Sequence, residues 1–211
     1  MKWFWAFVVL LLLFAGWWYF GMQAAPATGN TGTPTTTADI IAGVPNKTYT
    51  NSHLSFTMQY PATASSSEVD FEGFLPRTQT PVVSFTLPRD MFAGTNLVEA
   101  GVYIGATTTP TAMQICENAI HNGGETPVAT TTIGGQEFTA FTATGAGAGN
   151  LYESKIFRTY QNGACFEIVE MLHSGNIGNY TPGTVTQFDK AKYLGILDSI
   201  VSTYTSVPTG I

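Results

Sequence analysis

From residue 54 onward the chain alternates apolar and polar positions in short runs, the period-two signature of half-buried strands. Leu54, Phe56, Met58 and Tyr60 alternate with Ser55, Thr57 and Gln59, and Pro61 ends the run because it has no amide to give a ladder. Val83, Phe85 and Leu87 mark a second strand that ends at Pro88. Residues 97–107 make a third, with Ala100, Val102 and Ile104 on one face and Leu97 and Tyr103 on the other. Pro110 with Thr111-x-x-Gln114 predicts a short, capped helix running to about His121, with Cys116 in its middle and Asn122-Gly123-Gly124 as its stop. Thr130–Ile133 and Gln136–Thr144 flank Gly134-Gly135 and read as a hairpin.

The clearest signal lies at 151–173, two strand-like runs separated by Asn162-Gly163. Both central residues of a type I′ turn need positive φ, which asparagine and glycine accept most readily. Placing the turn there sets Tyr160 opposite Cys165, Arg158 opposite Glu167, Ile156 opposite Val169, Lys155 opposite Glu170, and Tyr152 opposite His173. Two opposite-charge pairs then form without adjustment, each worth roughly 0.2–1 kcal/mol when cross-strand. Further on, Val185, Phe188, Leu197, Ile200, Val201 and Tyr204 recur at three- and four-residue steps behind a second capping box, Thr184-x-x-Gln187. They predict a long amphipathic C-terminal helix. Consecutive hairpins with two helices give an α+β class: a mainly antiparallel sheet with helices on its faces.

Residues 3–22 break the alternation, being uncharged and overwhelmingly apolar. About twenty helical residues span roughly 30 Å, the thickness of a bilayer's hydrocarbon core. Trp3 and Trp5 at one end and Trp17, Trp18 and Tyr19 at the other match interfacial aromatic belts, and Lys2 keeps the amino end cytoplasmic. The rival is a cleaved signal peptide with Ala25-Pro26-Ala27 as its site, for which the apolar run is long. Residues 1–22 are therefore expected to be a transmembrane anchor or signal segment, and 23–44 a Thr/Pro/Gly-rich linker. Residues 45–211 are then an extracytoplasmic domain of a protein in the cytoplasmic membrane.

Charge narrows the partners. Only 10% of residues are charged and the net charge is −6, which argues against nucleic acid and against electrostatic docking on anionic lipid. The two cysteines, Cys116 and Cys165, are too few for a zinc site. In an exported chain they are expected to pair, tying a helix to a strand for about 4 kcal/mol by loop-closure entropy.

The runs LSFTMQYPA (54–62) and LDSIVSTYTSV (197–207) resemble the opening and close of the PsbP-like α/β/α sandwich. TNLVEA (95–100), GAGAGNLYES (145–154) and CFEIVEMLHSGNIGNYTPGTVTQFD (165–189) resemble a family of exported bacterial proteins of uncharacterised function. The likeness implies that fold but assigns no chemistry, and fold does not imply function.

Candidate chemistry is sparse. The glycine-rich 145–150 segment is followed by a strand, not by the helix a phosphate cradle needs, so it reads as a loop or bulge. Glu68, Asp70 and Glu72 read as a solvated loop, not a calcium site. Glu117 and His121 read as a helix-surface pair, not metal ligands, and His53 as an exposed strand-start residue. No metal and no cofactor are expected.

His173 is the best candidate centre: Tyr152 opposite it, Glu153 alongside, Asn150 nearby, and Asn176 and Tyr180 in the loop beyond. Imidazole, carboxylate, amide and phenol at one sheet end suit a small polar site for a protein or carbohydrate ligand. The competing reading is a loop whose Asn and Ser side chains cap its own backbone. Ser154 and Ser174 are candidate nucleophiles by proximity only, without a GxSxG elbow. The expectation is a membrane-tethered, non-enzymatic binding or envelope-assembly module of unknown ligand. A hydrolase or metal-dependent enzyme centred on His173 is the alternative.

Overall fold

The computed structural model describes residues 40–52, 54–68, 80–118 and 124–207. Residues 3–22, most of the linker, His53, Asp70, Glu72 and His121 lie outside them, as do the expectations placed on those positions.

Among the described residues ten strands, β1 to β10, follow in order: Asn46–Asn51, Phe56–Pro61, Ser65–Ser67, Thr80–Thr86, Leu97–Thr107, Thr126–Ile133, Gln136–Gly147, Asn150–Gln161, Ala164–Gly175 and Thr205–Ser206. Two α-helices among the described residues accompany them, α1 at Pro110–Ile115 and α2 at Lys190–Ser202. Seven strands form one sheet in the order β3-β4-β5-β9-β8-β7-β6, and β1-β2-β10 form a smaller one. Every pairing between named strands is antiparallel, as expected. Among the described residues no helix is long and apolar enough to cross a membrane.

The β8–β9 hairpin has the register its sequence dictates, from Gln161 opposite Ala164 out to Asn150 opposite Gly175. Asn162 and Gly163 take φ of 53° and 77°, the left-handed pair that the turn demands. The β6–β7 hairpin turns at Gly134-Gly135. There glycine is obligatory, because a Cβ on Gly134 would sit 2.0 Å from the Tyr204 carbonyl oxygen.

One face of the large sheet carries the main core. Phe85 of β4, Val102 and Ile104 of β5, Phe166, Ile168 and Leu172 of β9 and Phe157 of β8 pack there against Tyr193, Leu197, Ile200 and Val201 of α2. The small sheet adds Phe56, Met58 and Tyr60, with the Tyr60 and Phe85 rings stacked at 4.6 Å. The opposite face holds a smaller cluster of Tyr103, Phe141, Ala143, Ile156 and Val169. Beyond it α1 is pinned by the Cys116–Cys165 disulfide, with Cα atoms 5.6 Å apart.

Four expectations need correcting. Leu97 belongs to the main core with Ala100 and Val102, not to the Tyr103 face, because the register slips between Leu97 and Glu99. An extra residue there reverses the alternation. Helix α1 ends at Ile115, so Cys116 caps it instead of lying in its middle. Its N-cap is Thr109, which makes no side-chain capping bond, and not Thr111. Helix α2 begins at Lys190, not Thr184: Asp189 supplies the cap by accepting from the Lys192 amide at 3.1 Å, and Thr186 instead bridges Thr95. The 145–150 segment, expected as a loop or bulge, is strand through Gly147, closed by a tight turn at Ala148-Gly149.

Both cross-strand ion pairs form, each with a buried glutamate, and in the Arg158 pair the cation is buried too. Arg158 and Glu167 are buried and recruit Glu125, which takes both terminal guanidinium nitrogens while Nε donates to Glu167 at 2.7 Å. The Arg158 guanidinium also lies 5.1 Å from the Phe141 ring centre. Lys155 reaches across to Asp198 of α2 and lies 3.6 Å from Glu170, whose side chain is completely buried. The Arg158 pairs are governed by desolvation, not by the few tenths of a kcal/mol typical of surface pairs, whereas Lys155–Asp198 is a largely exposed pair.

Candidate functional site

The β8–β9 register carries His173 to the open end of the sheet, on the face away from α2. Its ring stacks on Tyr152, centroids 4.4 Å apart and planes 15° from parallel. The imidazole Nε2 donates to Asn150 Oδ1 at 2.9 Å. Tyr152 remains exposed beside this pair.

Three further features shape this end. The Ala148-Gly149 turn uses φ of 50° and 81°, and the Gly149 carbonyl accepts the Asn176 amide at 2.8 Å. Asn176 Oδ1 accepts the Gly178 amide at 3.0 Å, capping the 3-10 turn Ile177–Asn179. Asn176 is thus spent on its own loop, as the self-capping reading requires. The exposed Tyr180 lays its ring over Gly175, where a Cβ would come within 2.4 Å of its hydroxyl.

Glu153 does not join the group. It faces Leu172 on the opposite side of the sheet, and its carboxylate pairs with Lys190 at the start of α2. Strand neighbours point to opposite faces, so a residue next to Tyr152 in sequence cannot share its surface. The carboxylate on the His173 side is Glu99, directly opposite it across the β5–β9 pairing. Tyr103 donates its hydroxyl to Glu99. Burial first, then the hydrogen bond and charge of Glu99, push the Tyr103 phenol well above the ordinary tyrosine range. Glu99, His173 and Tyr152 therefore form one row across three strands.

Asn96 is the other residue that sequence reasoning missed. Buried where β5 begins, it donates to the Gly175 carbonyl at 2.7 Å and accepts the Phe188 amide at 2.9 Å. It clamps the end of β9 to the segment entering α2, and so fixes the platform under His173. The only hint in sequence is a polar residue beside an apolar strand start, which is too common to single out.

The serines divide. Ser154 lies on the His173 face opposite Met171, whereas Ser174 is buried on the other face opposite Leu97 and Leu151. Among the described residues no hydrogen bond joins either to His173. Glu117 is exposed, and no group of three or more His, Cys, Asp or Glu side chains among the described residues is placed to hold a metal.

No protein-family model and no curated protein matches the chain. Among solved structures it is similar to a Bacteroides thetaiotaomicron protein at 16% identity and a TM-score of 0.44, over 78% of this chain and 50% of that one. The chain thus spans about half the length of that relative. It is similar to LpqN, involved in cell envelope biogenesis of Mycobacterium tuberculosis, at 12% identity and a TM-score of 0.41, covering 79% of this chain and 87% of that one. It is also similar to the cyanobacterial PsbP of Synechocystis sp. PCC 6803, at 13% identity and a TM-score of 0.41, over 82% and 99% of the two chains. At such identities and scores the likenesses assign no activity.

Proposed function

We propose that this chain is a membrane-tethered, extracytoplasmic module of the PsbP-like α/β/α-sandwich kind that binds its ligand without transforming it. Residues 3–22 anchor it in the cytoplasmic membrane, and the contact surface is the sheet end carrying Tyr152, His173, Asn150 and Tyr180. The observation that supports this reading is the use made of His173. Its ring face is stacked on Tyr152 and its Nε2 is committed to an amide oxygen, which makes it part of a rigid aromatic platform. The nitrogen left to receive a proton is Nδ1, and among the described residues no serine or threonine hydroxyl is hydrogen-bonded to it, as a general base would require of its nucleophile. Exposed rings beside amides suit a saccharide or a polypeptide, since ring faces take up apolar patches while amides bond hydroxyls or peptide groups.

The test is binding of the full chain, purified in detergent, to arrayed oligosaccharides and peptides, with product release followed in the same samples. Tyr152→Ala and His173→Ala should each abolish binding without altering any product. Turnover that disappears with His173→Ala would establish the hydrolase alternative. Placement outside the cytoplasm is tested separately: alkaline phosphatase fused after residue 45 should be active, and an inactive fusion would overturn the export reading.

A further inference from the structure

At the β5 end of the Glu99–His173–Tyr152 row the chain walls a cleft of about 300 Å³ between the β3–β4 pair, the 3-10 turn Arg89–Phe92 and the start of β5. Its lining includes Ser65, Thr86, Pro88, Arg89, Phe92 and Glu99. The Ser65 and Thr86 hydroxyls bond each other at 2.5 Å on one wall. Phe92 belongs to the main core and gives the cleft an apolar side.

The two charges are the informative part. Arg89 is exposed, and among the described residues no hydrogen bond or ion pair engages its guanidinium. Glu99 stands in the same cleft but makes no ion pair with it, its carboxylate accepting instead from the Tyr103 hydroxyl. A fixed carboxylate and an unspent guanidinium therefore share one small concavity. A simple anion there would be repelled by Glu99 and a simple cation by Arg89, so each charge selects against ligands bearing only its own sign. A molecule carrying both signs, with its carboxylate on Arg89 and its ammonium on Glu99, satisfies both. The volume lies at the small end of ligand pockets, which suits a single amino acid or a dipeptide and not a polymer.

We propose that this cleft is a binding site for a small zwitterion of the α-amino-acid type with an apolar side chain. Arg89 and Glu99 provide the charge readout, and the Phe92 side takes the side chain. The proposal does not rest on the Tyr152 platform, which can fail while this site stands.

The test uses the full chain in detergent micelles, titrated calorimetrically with leucine, with N-acetylleucine, which lacks the ammonium, and with leucinamide, which lacks the carboxylate. Leucine should bind, and each analogue should bind at least about tenfold more weakly. Arg89→Gln should weaken leucine and erase its advantage over leucinamide, and Glu99→Gln should erase its advantage over N-acetylleucine. Both variants should keep the parental melting temperature, since Arg89 is on the surface and glutamine can still accept from Tyr103. Absence of saturable leucine binding at millimolar concentration, or equal binding of the three compounds by the parental chain, overturns the proposal. So does a parental binding profile in both folded variants.

Discussion

Replacing Glu170 with glutamine should remove a pH-dependent weakness from the interface between the large sheet and α2. Glu170 projects from β9 into the main-core face with its side chain fully buried, and among the described residues neither carboxylate oxygen has a hydrogen-bond partner. Burial raises its pKa from 4.5 to about 8; Lys155 at 3.6 Å pulls the other way and Asp198 adds to the rise. Lys155 is no free counter-charge. Burial opposes its ammonium, but Asp198 and Glu170 outweigh that and lift its pKa.

Below about pH 4.5 the carboxyl is neutral in the folded and unfolded chain alike, and the substitution should be nearly silent. As pH rises towards about 8 the unfolded chain releases a proton that the folded chain retains, so stability falls across that window and then levels off. A shift of roughly 3.5 units at about 1.4 kcal/mol each sets a ceiling near 5 kcal/mol, of which about 3 kcal/mol is already present at pH 7. For a chain of this size that corresponds to a gap of about 10 °C or more in melting temperature. All four tryptophans lie within the first 18 residues, so the domain is best followed by circular dichroism of the sheet. Glu170→Gln and the parent should melt close together near about pH 5 and diverge by about pH 8.5, with the variant more stable. An unchanged gap between the two pH values, or a variant that is less stable at the higher one, refutes the reasoning.

Other outcomes follow from equally local causes. Changing Cys116 and Cys165 both to serine opens a link across a sequence separation of 49 and should cost about 4 kcal/mol, read as a fall in melting temperature that reductant reproduces in the parent but not in the variant. Arg158→Met leaves Glu125 and Glu167 buried without their cation and should cost about 3–5 kcal/mol, whereas also changing both glutamates to leucine should recover most of that loss in the same melting assay. Gly134→Ala drives a Cβ into the Tyr204 carbonyl at 2.0 Å and should prevent accumulation of folded protein, while Gly163→Ala, in open space at φ 77°, should cost only about 1 kcal/mol of backbone strain. Comparable yields and melting temperatures for the two glycine variants would show that the Gly134 contact is not tight.

Local chemistry carries far in this protein. The Asn162-Gly163 turn with alternating flanks is enough to place Tyr152 opposite His173 and both basic residues opposite glutamates, because positive φ and a two-residue period leave one register. The pairing of the two cysteines, the antiparallel α+β class and the apolar stripe of α2 follow from composition and periodicity in the same way. What lay beyond reach depends on contacts between segments distant in the chain. Only the insertion of the β8–β9 hairpin beside β5 brings Glu99 to His173, and only the packing of α2 sends Glu153 to Lys190 and Asp198 to Lys155. The bulge before Glu99 reverses Leu97, Asp189 displaces Thr184 as the helix cap, and Arg158, Glu167 and Glu170 are buried under elements no local pattern could place over them. Periodicity states which residues share a face. Which faces meet, and how dry they become, is decided by the order of strands in the sheet and by the layer that closes over it.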